Sequence, residues 1–392
     1  MIYAGVDIAK TDHVIGAVDE AGAEVAKPMS FKNTEAGFER CVAWLESVAE
    51  SEDEVFVGME ATGHYWKACF AHLAAAGYRV CVVNPMQVHA MRKLKGLAGV
   101  KNDRIDARLV AETLRQGDYD ETKLATDEVQ ALRQLTRYHQ GLKQELAAVK
   151  TQATCVLDAY FPEYAGLFSD VFGAASLKVL AECPTPSEVS RRRASTIAKL
   201  LSEGSRGRLG EEKAAQIKAA AKSSVGVRLG EDAASFQIKT QVSQIRFLNA
   251  TIAKVEREVA SLLARIEPNV TTIPGVSTTT GAQIVAEIGD VRRFGGAAAI
   301  VKYAGLNPGV DESGKHSAEG VPITKHGSPY LRRALWLAAN RARRYDSRLR
   351  AFYDKKRREG KPHRVAVTAV ARKLCHVVYA VMRDGEPYDP LK

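Results

Sequence analysis

Apolar, β-branched runs at residues 2–8 (IYAGVDI) and 13–18 (HVIGAV) read as strands, and a third run at 23–31 follows Asp19-Glu20-Ala21-Gly22. The glycine suits a tight turn, so an antiparallel meander is predicted to open the chain. The period then changes. Phe38, Val42, Leu45 and Val48 fall on one face of a helix predicted over 34–49, with Thr34 as its cap. A buried strand at 55–60 (VFVGME), a helix at 64–76 and another strand at 78–83 (YRVCVV) follow. Three hairpin strands, then strands alternating with helices, describe an α/β domain with a mixed sheet.

A 3,4 alternation begins at Leu132 and runs through Leu135, His139, Leu142, Leu146, Val149, Ala153 and Val156. It returns as Ile238, Gln241, Ile245, Leu248, Ile252, Val255, Val259, Leu262 and Ile266. These are coiled-coil seams of about four heptads each. An antiparallel helix pair within the chain and an oligomerising coil both satisfy them. Residues 169–231 between the seams are rich in Ala, Ser, Gly, Lys and Arg and read as a small helical insert. After Ile266, Pro268 and Pro274 punctuate a turn-helix pattern, IPGVSTTTGAQIVAEIGDVRRF, that resembles a helix-hairpin-helix. Backbone N–H groups at such a hairpin can meet a phosphate. The chain thus divides into an α/β domain over 1–125, a coiled-coil region over 126–267 with its insert at 165–235, and a mainly α-helical domain over 268–392.

The composition, 46% hydrophobic and 26% charged over 392 residues, is that of a soluble globular protein and excludes disordered and collagen-like classes. No window approaches the roughly 18 uninterrupted apolar residues of a spanning helix, and Met1 leads straight into a strand-like run. A cytoplasmic protein with no membrane partner is expected. The six cysteines are scattered, without a CxxC pair or a histidine at zinc spacing, and read as reduced core thiols.

The formal charge of +10 suggests a polyanionic partner, but it is unevenly spread. Residues 1–60 hold 4 basic against 13 acidic residues, and residues 329–364 hold 13 basic against 3 acidic. An acidic end and a basic end suit separate tasks, holding metal and gripping phosphate.

Four carboxylates stand out. Asp7 lies in the first strand, Glu60 ends a later one, and Asp103 and Asp106 (DRID) open a helix, where i, i+3 spacing puts them on one face. Two-metal phosphoryl transfer needs carboxylates from several elements converging on two Mg²⁺ roughly 3.5–4 Å apart. Singly, each residue also reads as a strand end, a turn or a helix cap. Together, on this scaffold, they resemble the D…E…DxxD set of ribonuclease-H-like folds of the Holliday-junction-resolvase type. Lys101, Arg104 and Arg108 flank the pair, with Arg92, Lys93 and Lys95 ahead of it, as charges able to position a phosphate backbone. His64 reads as a structural donor or a proton shuttle.

Residues 302–333 form a loop with five glycines ahead of a basic helix opening at Pro329, where Ser328 serves as N-cap. Ser313 is flanked by Gly314, Lys315 and His316, with Lys325 and His326 further on. A serine attacks phosphate only when its proton is removed or cations stabilise the charge; a surface Gly/Ser loop is the plainer reading. In the following helix, Arg332, Arg333, Arg341, Arg343, Arg344, Arg348 and Arg350 interleave with Leu331, Leu335, Trp336, Leu337 and Tyr345. One basic face over one apolar face reads as a backbone binder.

GVDIAKTDHV, VGMEATGHYW and KNDRIDARLVAETLR in the first domain, with TIPGVSTTTGAQIVAEIGDVRRF, KYAGLNPGVDESGK and ITKHGSPYLRRAL near the end, resemble transposases of the insertion-sequence-110 family, in the DEDD group. The resemblance spans residues 1–160 and 268–350 and leaves the insert aside. It implies a RuvC-type first domain, a C-terminal transposase domain, Mg²⁺ held by Asp7, Glu60, Asp103 and Asp106, and Ser313 as nucleophile. It also implies a structured guide (bridge) RNA that pairs with donor and target DNA, leaving Lys101, Arg104, Arg108, Lys315, Lys325, Arg332, Arg333, Arg341 and Arg344 to read backbone and shape. Dimers pairing into tetramers are implied too, with one protomer's carboxylates meeting another's serine and the seams supplying dimerisation. No nucleotide cofactor is expected, because a phosphoserine stores the bond energy. The rivals are a hydrolytic RuvC-like junction nuclease, with Ser313 idle, and a non-catalytic nucleic-acid scaffold.

Overall fold

Ile2–Asp7 form β1, Asp12–Val18 β2 and Glu24–Lys32 β3, the meander expected; α1 (Glu35–Glu46), β4 (Val55–Glu60), α2 (Trp66–Ala75), β5 (Arg79–Val83), α3 (Pro85–Leu94) and α4 (Asp103–Gln116) follow. The structure, a computed structural model, describes residues 1–392 except 62, 98, 100, 101, 118, 120, 123, 124, 267, 310, 311, 314, 315, 318–320, 391 and 392, and only the backbone of 312, 313, 316 and 317. The chain forms two units, residues 1–124 and 125–392.

In the first unit the sheet order is β3-β2-β1-β4-β5, with β1, β2 and β3 antiparallel and β4 and β5 parallel to β1. This mixed sheet fits the expected ribonuclease-H-like domain. One face, built from Val6, Ile15, Val57, Met59 and Val80, packs on Phe38, Cys41 and Leu45 of α1 and Cys69, Phe70 and Leu73 of α2. The other packs Phe56, Cys81 and Val83 on Leu109, Val110 and Leu114 of α4. Gly5 pairs in register with Gly16 on one side and Gly58 on the other. A Cβ on Gly5 would stand 2.1 Å from the Ala107 carbonyl oxygen and 2.4 Å from the Ala111 nitrogen. The glycine therefore lets α4 lie directly on the central strand, a separation any side chain would prevent.

The second unit opens with α5 (Asp127–Tyr160); α6 (Ala174–Glu182), α7 (Pro186–Arg191), α8 (Ala194–Ser205) and α9 (Glu211–Lys222) make the helical insert, and α10 (Glu231–Ile266) closes this part. The two predicted seams meet within the chain. Leu132, Leu142, Leu146 and Ala153 of α5 are buried, as are Ile238, Ile245, Leu248, Ile252 and Val259 of α10. His139 and Lys143 pair with Glu256, and the Val227 N–H donates to the Ala159 carbonyl, so the helices run antiparallel.

α11 (Thr278–Ile288), α12 (Ala297–Tyr303), β6 (Glu312–Ser313), β7 (His316–Ser317), α13 (Pro329–Tyr345), α14 (Ser347–Arg358) and α15 (His363–Asp384) complete the unit. Gly275 of the hairpin-like turn has φ +88°, and its Cβ position lies 2.4 Å from the Ala342 nitrogen, so its small size accommodates the α13 backbone. α15 is the one described helix long and apolar enough to cross a membrane by length and composition, yet its Ala366, Val367, Val370, Leu374 and Val378 are buried in the core.

Three readings need correction. The single basic helix is two, because Asp346 ends α13 and caps α14, its Oδ1 accepting from the Leu349 N–H at 2.8 Å. Leu337 and Tyr345 are exposed; α13's buried stripe is Leu331, Ala334, Leu335, Ala338, Ala339 and Ala342, because small residues let neighbouring helices approach. Cys155 is exposed on α5, whereas the other five cysteines are buried, with burial raising the thiols of Cys41 and Cys375 to about 12.

Candidate active site

β1 and β4 are parallel neighbours, so their C-terminal residues reach the same sheet edge: Val6 pairs with Met59, which sets Asp7 beside Glu60. Asp7 follows Gly5, and Glu60 follows Gly58, by two residues. Strand alternation therefore turns both carboxylates to the face that α4 covers. α4 begins at that edge. Asn102 caps it, accepting from the Arg104 N–H at 2.9 Å, and Asp103 and Asp106 occupy its first turn, where unpaired helix N–H groups favour negative charge. All four carboxylate residues line one cleft of about 430 Å³.

α3 supplies the opposite wall. Pro85 sits in its first turn, and Pro85, Val88, His89 and Arg92 share the helical face that lines the cleft. Arg92 reaches across to Asp106, its Nη2 donating to Oδ1 at 2.6 Å. His89 escaped the sequence reading; its i, i+3 relation to Arg92 on a helix directly after β5 was the available signal. His64 lies in the turn before α2 with its ring 4.2 Å from that of Tyr65, and is not among the cleft's lining residues.

The turn after Asp7 is held from the other face of the sheet. The Ala9 N–H donates to Nδ1 of His13 at 3.2 Å. His13 is fully buried, edge-on to Phe31 and stacked with Phe38. Burial lowers its pKa, against smaller opposing effects of Asn33 and Asp12.

The four carboxylates offer oxygen donors, which fit a hard divalent cation, and His89 adds an imidazole to the lining. Among the described residues no three acidic, histidine or cysteine side chains stand close enough together to hold an ion. Of the basic residues expected nearby, Arg104 is exposed, Arg108 donates to the Gly22 carbonyl at 3.5 Å and Lys95 pairs with Glu112. Lys101 lies outside the described residues.

In the second unit, the described ends of the glycine-containing loop pair with each other. Lys325 pairs with Gly305, Thr324 with Asn307 and Gly309 with Pro322, and Pro308 and Ile323 form a bridge. Between them in sequence, β6 and β7 pair antiparallel, with Ser313 opposite His316. Arg332 ties the base, donating to the carbonyls of Ala304 (3.0 Å) and Lys325 (3.1 Å). Ser328 caps α13 and donates its hydroxyl to Glu287 Oε2 at 2.8 Å. Fully buried Glu287 also takes a two-pronged pair from Arg137, at 2.7 and 3.0 Å. The pair satisfies a charge that would be costly to bury alone. Arg333, Arg341, Arg344, Lys325 and His326 are exposed; Lys315 lies outside the described residues.

Two family profiles match the chain: one described as a transposase of the DEDD, IS110 type, over residues 4–162, and one described as a transposase of the IS116/IS110/IS902 family, over residues 267–354. The chain is 26% identical to an uncharacterized 42 kDa protein of insertion element IS900 from Mycobacterium paratuberculosis, over 99% of this chain and 97% of that protein. It is 25% identical to a pilin gene-inverting protein of Moraxella bovis, over 99% and 97%. Among solved structures it is similar to T. thermophilus RuvC in complex with Holliday junction substrate, at 20% identity and a TM-score of 0.22, covering 29% of this chain and 91% of that one.

Proposed function

The chain belongs to the IS110 family of DEDD transposases, and from that premise we propose that it is an RNA-guided, Mg²⁺-dependent transposase that exchanges DNA strands through a phosphoserine on Ser313. The observation that carries the proposal is the convergence of Asp7, Glu60, Asp103 and Asp106 on one cleft from two strand ends and a helix start. These residues would hold the divalent metal, whose role when bound is to offset charge on the attacking and leaving oxygens. The Ser313 oxygen attacks the scissile phosphorus as its proton is taken up. The bond from phosphorus to the 3′ oxygen breaks, and that oxygen leaves as a hydroxyl. A 3′-hydroxyl of the exchanged strand then attacks the phosphoserine and releases the serine, so no nucleotide cofactor is consumed. Arg333, Arg341, Arg344 and Lys325 are exposed cations suited to holding DNA backbone. Base choice falls to the guide RNA paired with donor and target, and the assembly is a homodimer pairing into a tetramer.

The test is trapping of a covalent protein–DNA adduct. Ser313→Ala should retain nucleic-acid binding and lose the adduct; an undiminished adduct would refute the serine, and cleavage without one in the native protein would point to a water nucleophile. Asp7→Asn and Asp106→Asn should lose cleavage and remain folded. Full activity of the native protein in EDTA would refute the metal site.

A further inference from the structure

Among the described residues, Arg92 is the arginine that lines the carboxylate cleft, and its guanidinium lies on one of the four carboxylates. Both partners are largely shielded, with 18% of the Arg92 side chain and 13% of the Asp106 side chain exposed. In such a setting a charge-assisted hydrogen bond of 2.6 Å is strong, so anything else that binds Asp106 competes with Arg92.

The same guanidinium suits another partner. Its planar fork matches two phosphate oxygens, and a phosphodiester entering a cleft of four carboxylates meets repulsion unless a cation receives it. Val88, buried one turn back, anchors α3 beneath Arg92. Lys95, at the end of α3, is engaged with Glu112 at 3.3 Å.

We propose that Arg92 is the phosphate-contacting residue of this cleft, held on Asp106 until a nucleic-acid phosphate draws it away and leaves Asp106 for divalent metal. The proposal rests on the metal reading above. It makes metal and nucleic acid reciprocal partners: each tightens the other, because both are served by the same displacement. Metal loading in the absence of nucleic acid is thereby disfavoured, since the metal site is completed by the phosphate to be cut.

The experiment follows Mn²⁺ binding to the full-length protein by electron paramagnetic resonance, with and without a plain DNA duplex at low salt. Uptake by the duplex is subtracted using Asp7→Asn protein with the same DNA. In the native protein the duplex should tighten Mn²⁺ binding by about fivefold or more, within the usual range of such coupling. Arg92→Gln should bind Mn²⁺ that tightly without DNA, gain nothing further from DNA, and cleave poorly. Arg92→Lys, which keeps the charge but not the fork, should retain part of the coupling and guards against a folding defect, checked by thermal melting. Unchanged Mn²⁺ affinity in Arg92→Gln, or the same tightening by DNA as in the native protein, would overturn the proposal. Full Mn²⁺ binding by Asp106→Asn would instead overturn the metal reading, so the two failures are distinguishable.

Discussion

His13 is a residue whose value emerges only from its neighbours. In sequence it opens a strand; in the fold its Nδ1 receives the Ala9 N–H, two residues past Asp7, and its ring is sealed between Phe31 and Phe38. Burial holds its pKa below the ordinary 6.5, so the unfolded chain takes up the proton more readily than the folded one. Its contribution to stability is complete above pH 6.5 and is lost as the pH falls through the depressed folded value, with a slope of at most about 1.4 kcal/mol per pH unit. Thermal melting between pH 7.5 and 5.5 should show a shallower decline in His13→Asn, which keeps an acceptor for the Ala9 N–H without titrating. An unchanged decline would remove His13 from the account. Asp7, Glu60, Asp103 and Asp106 were legible as candidates because each sits at the end of a strongly patterned element. His89 and Arg92 were not marked as facing them, because the direction of α3's cleft side depends on how the helix rests on the sheet.

At the scale of elements, the carboxylate cleft depends on how closely α4 lies on β1. Gly5 permits that approach, since a Cβ there would overlap the backbone of Ala107 and Ala111. Gly5→Ala should cost about 1–3 kcal/mol through overpacking and, by lifting the turn that bears Asp103 and Asp106, reduce cleavage more than nucleic-acid binding. A denaturant midpoint shift with a parallel cleavage assay checks both, and an unchanged midpoint would contradict the packing argument. The five strands of this unit, with α1, α2 and the start of α4, were legible from period and caps to within a few residues, whereas α3 was not. The seams of α5 and α10 were legible as apolar stripes, but a stripe does not name its partner: Ile245 and Leu248 are satisfied equally by a helix of the same chain or of another. The break at Asp346 was hidden because the residues on both sides share one helical, basic pattern. What ends α13 is a buried carboxylate serving the Leu349 N–H and the Tyr388 hydroxyl, the latter from far along the chain.

Across the whole molecule, the two signs of charge lie in different units: the acid-rich first 60 residues supply Asp7 and Glu60 of the cleft, and the basic stretch at 329–364 covers α13, α14 and the start of α15. Nucleic-acid affinity should therefore fall steeply with salt, and replacing exposed Arg341 and Arg344 by alanine should flatten the plot of log affinity against log salt by about one for each phosphate left without its arginine. An unchanged slope in a filter-binding series would place the DNA backbone elsewhere on the protein. Sequence by itself determined the mixed sheet, the capped helices, the candidate carboxylates and the uneven charge, because these follow from local periodicity, capping chemistry and composition. Tertiary structure decided what those local rules leave open: that four carboxylates share one cleft, that Arg92 rests on Asp106, that Glu287 holds the start of α13 through Ser328, and that the two seams meet each other. Each of these joins residues remote in sequence through parallel strand pairing, close helix-on-sheet packing or the pairing of a buried charge, and no single stretch of chain contains both partners.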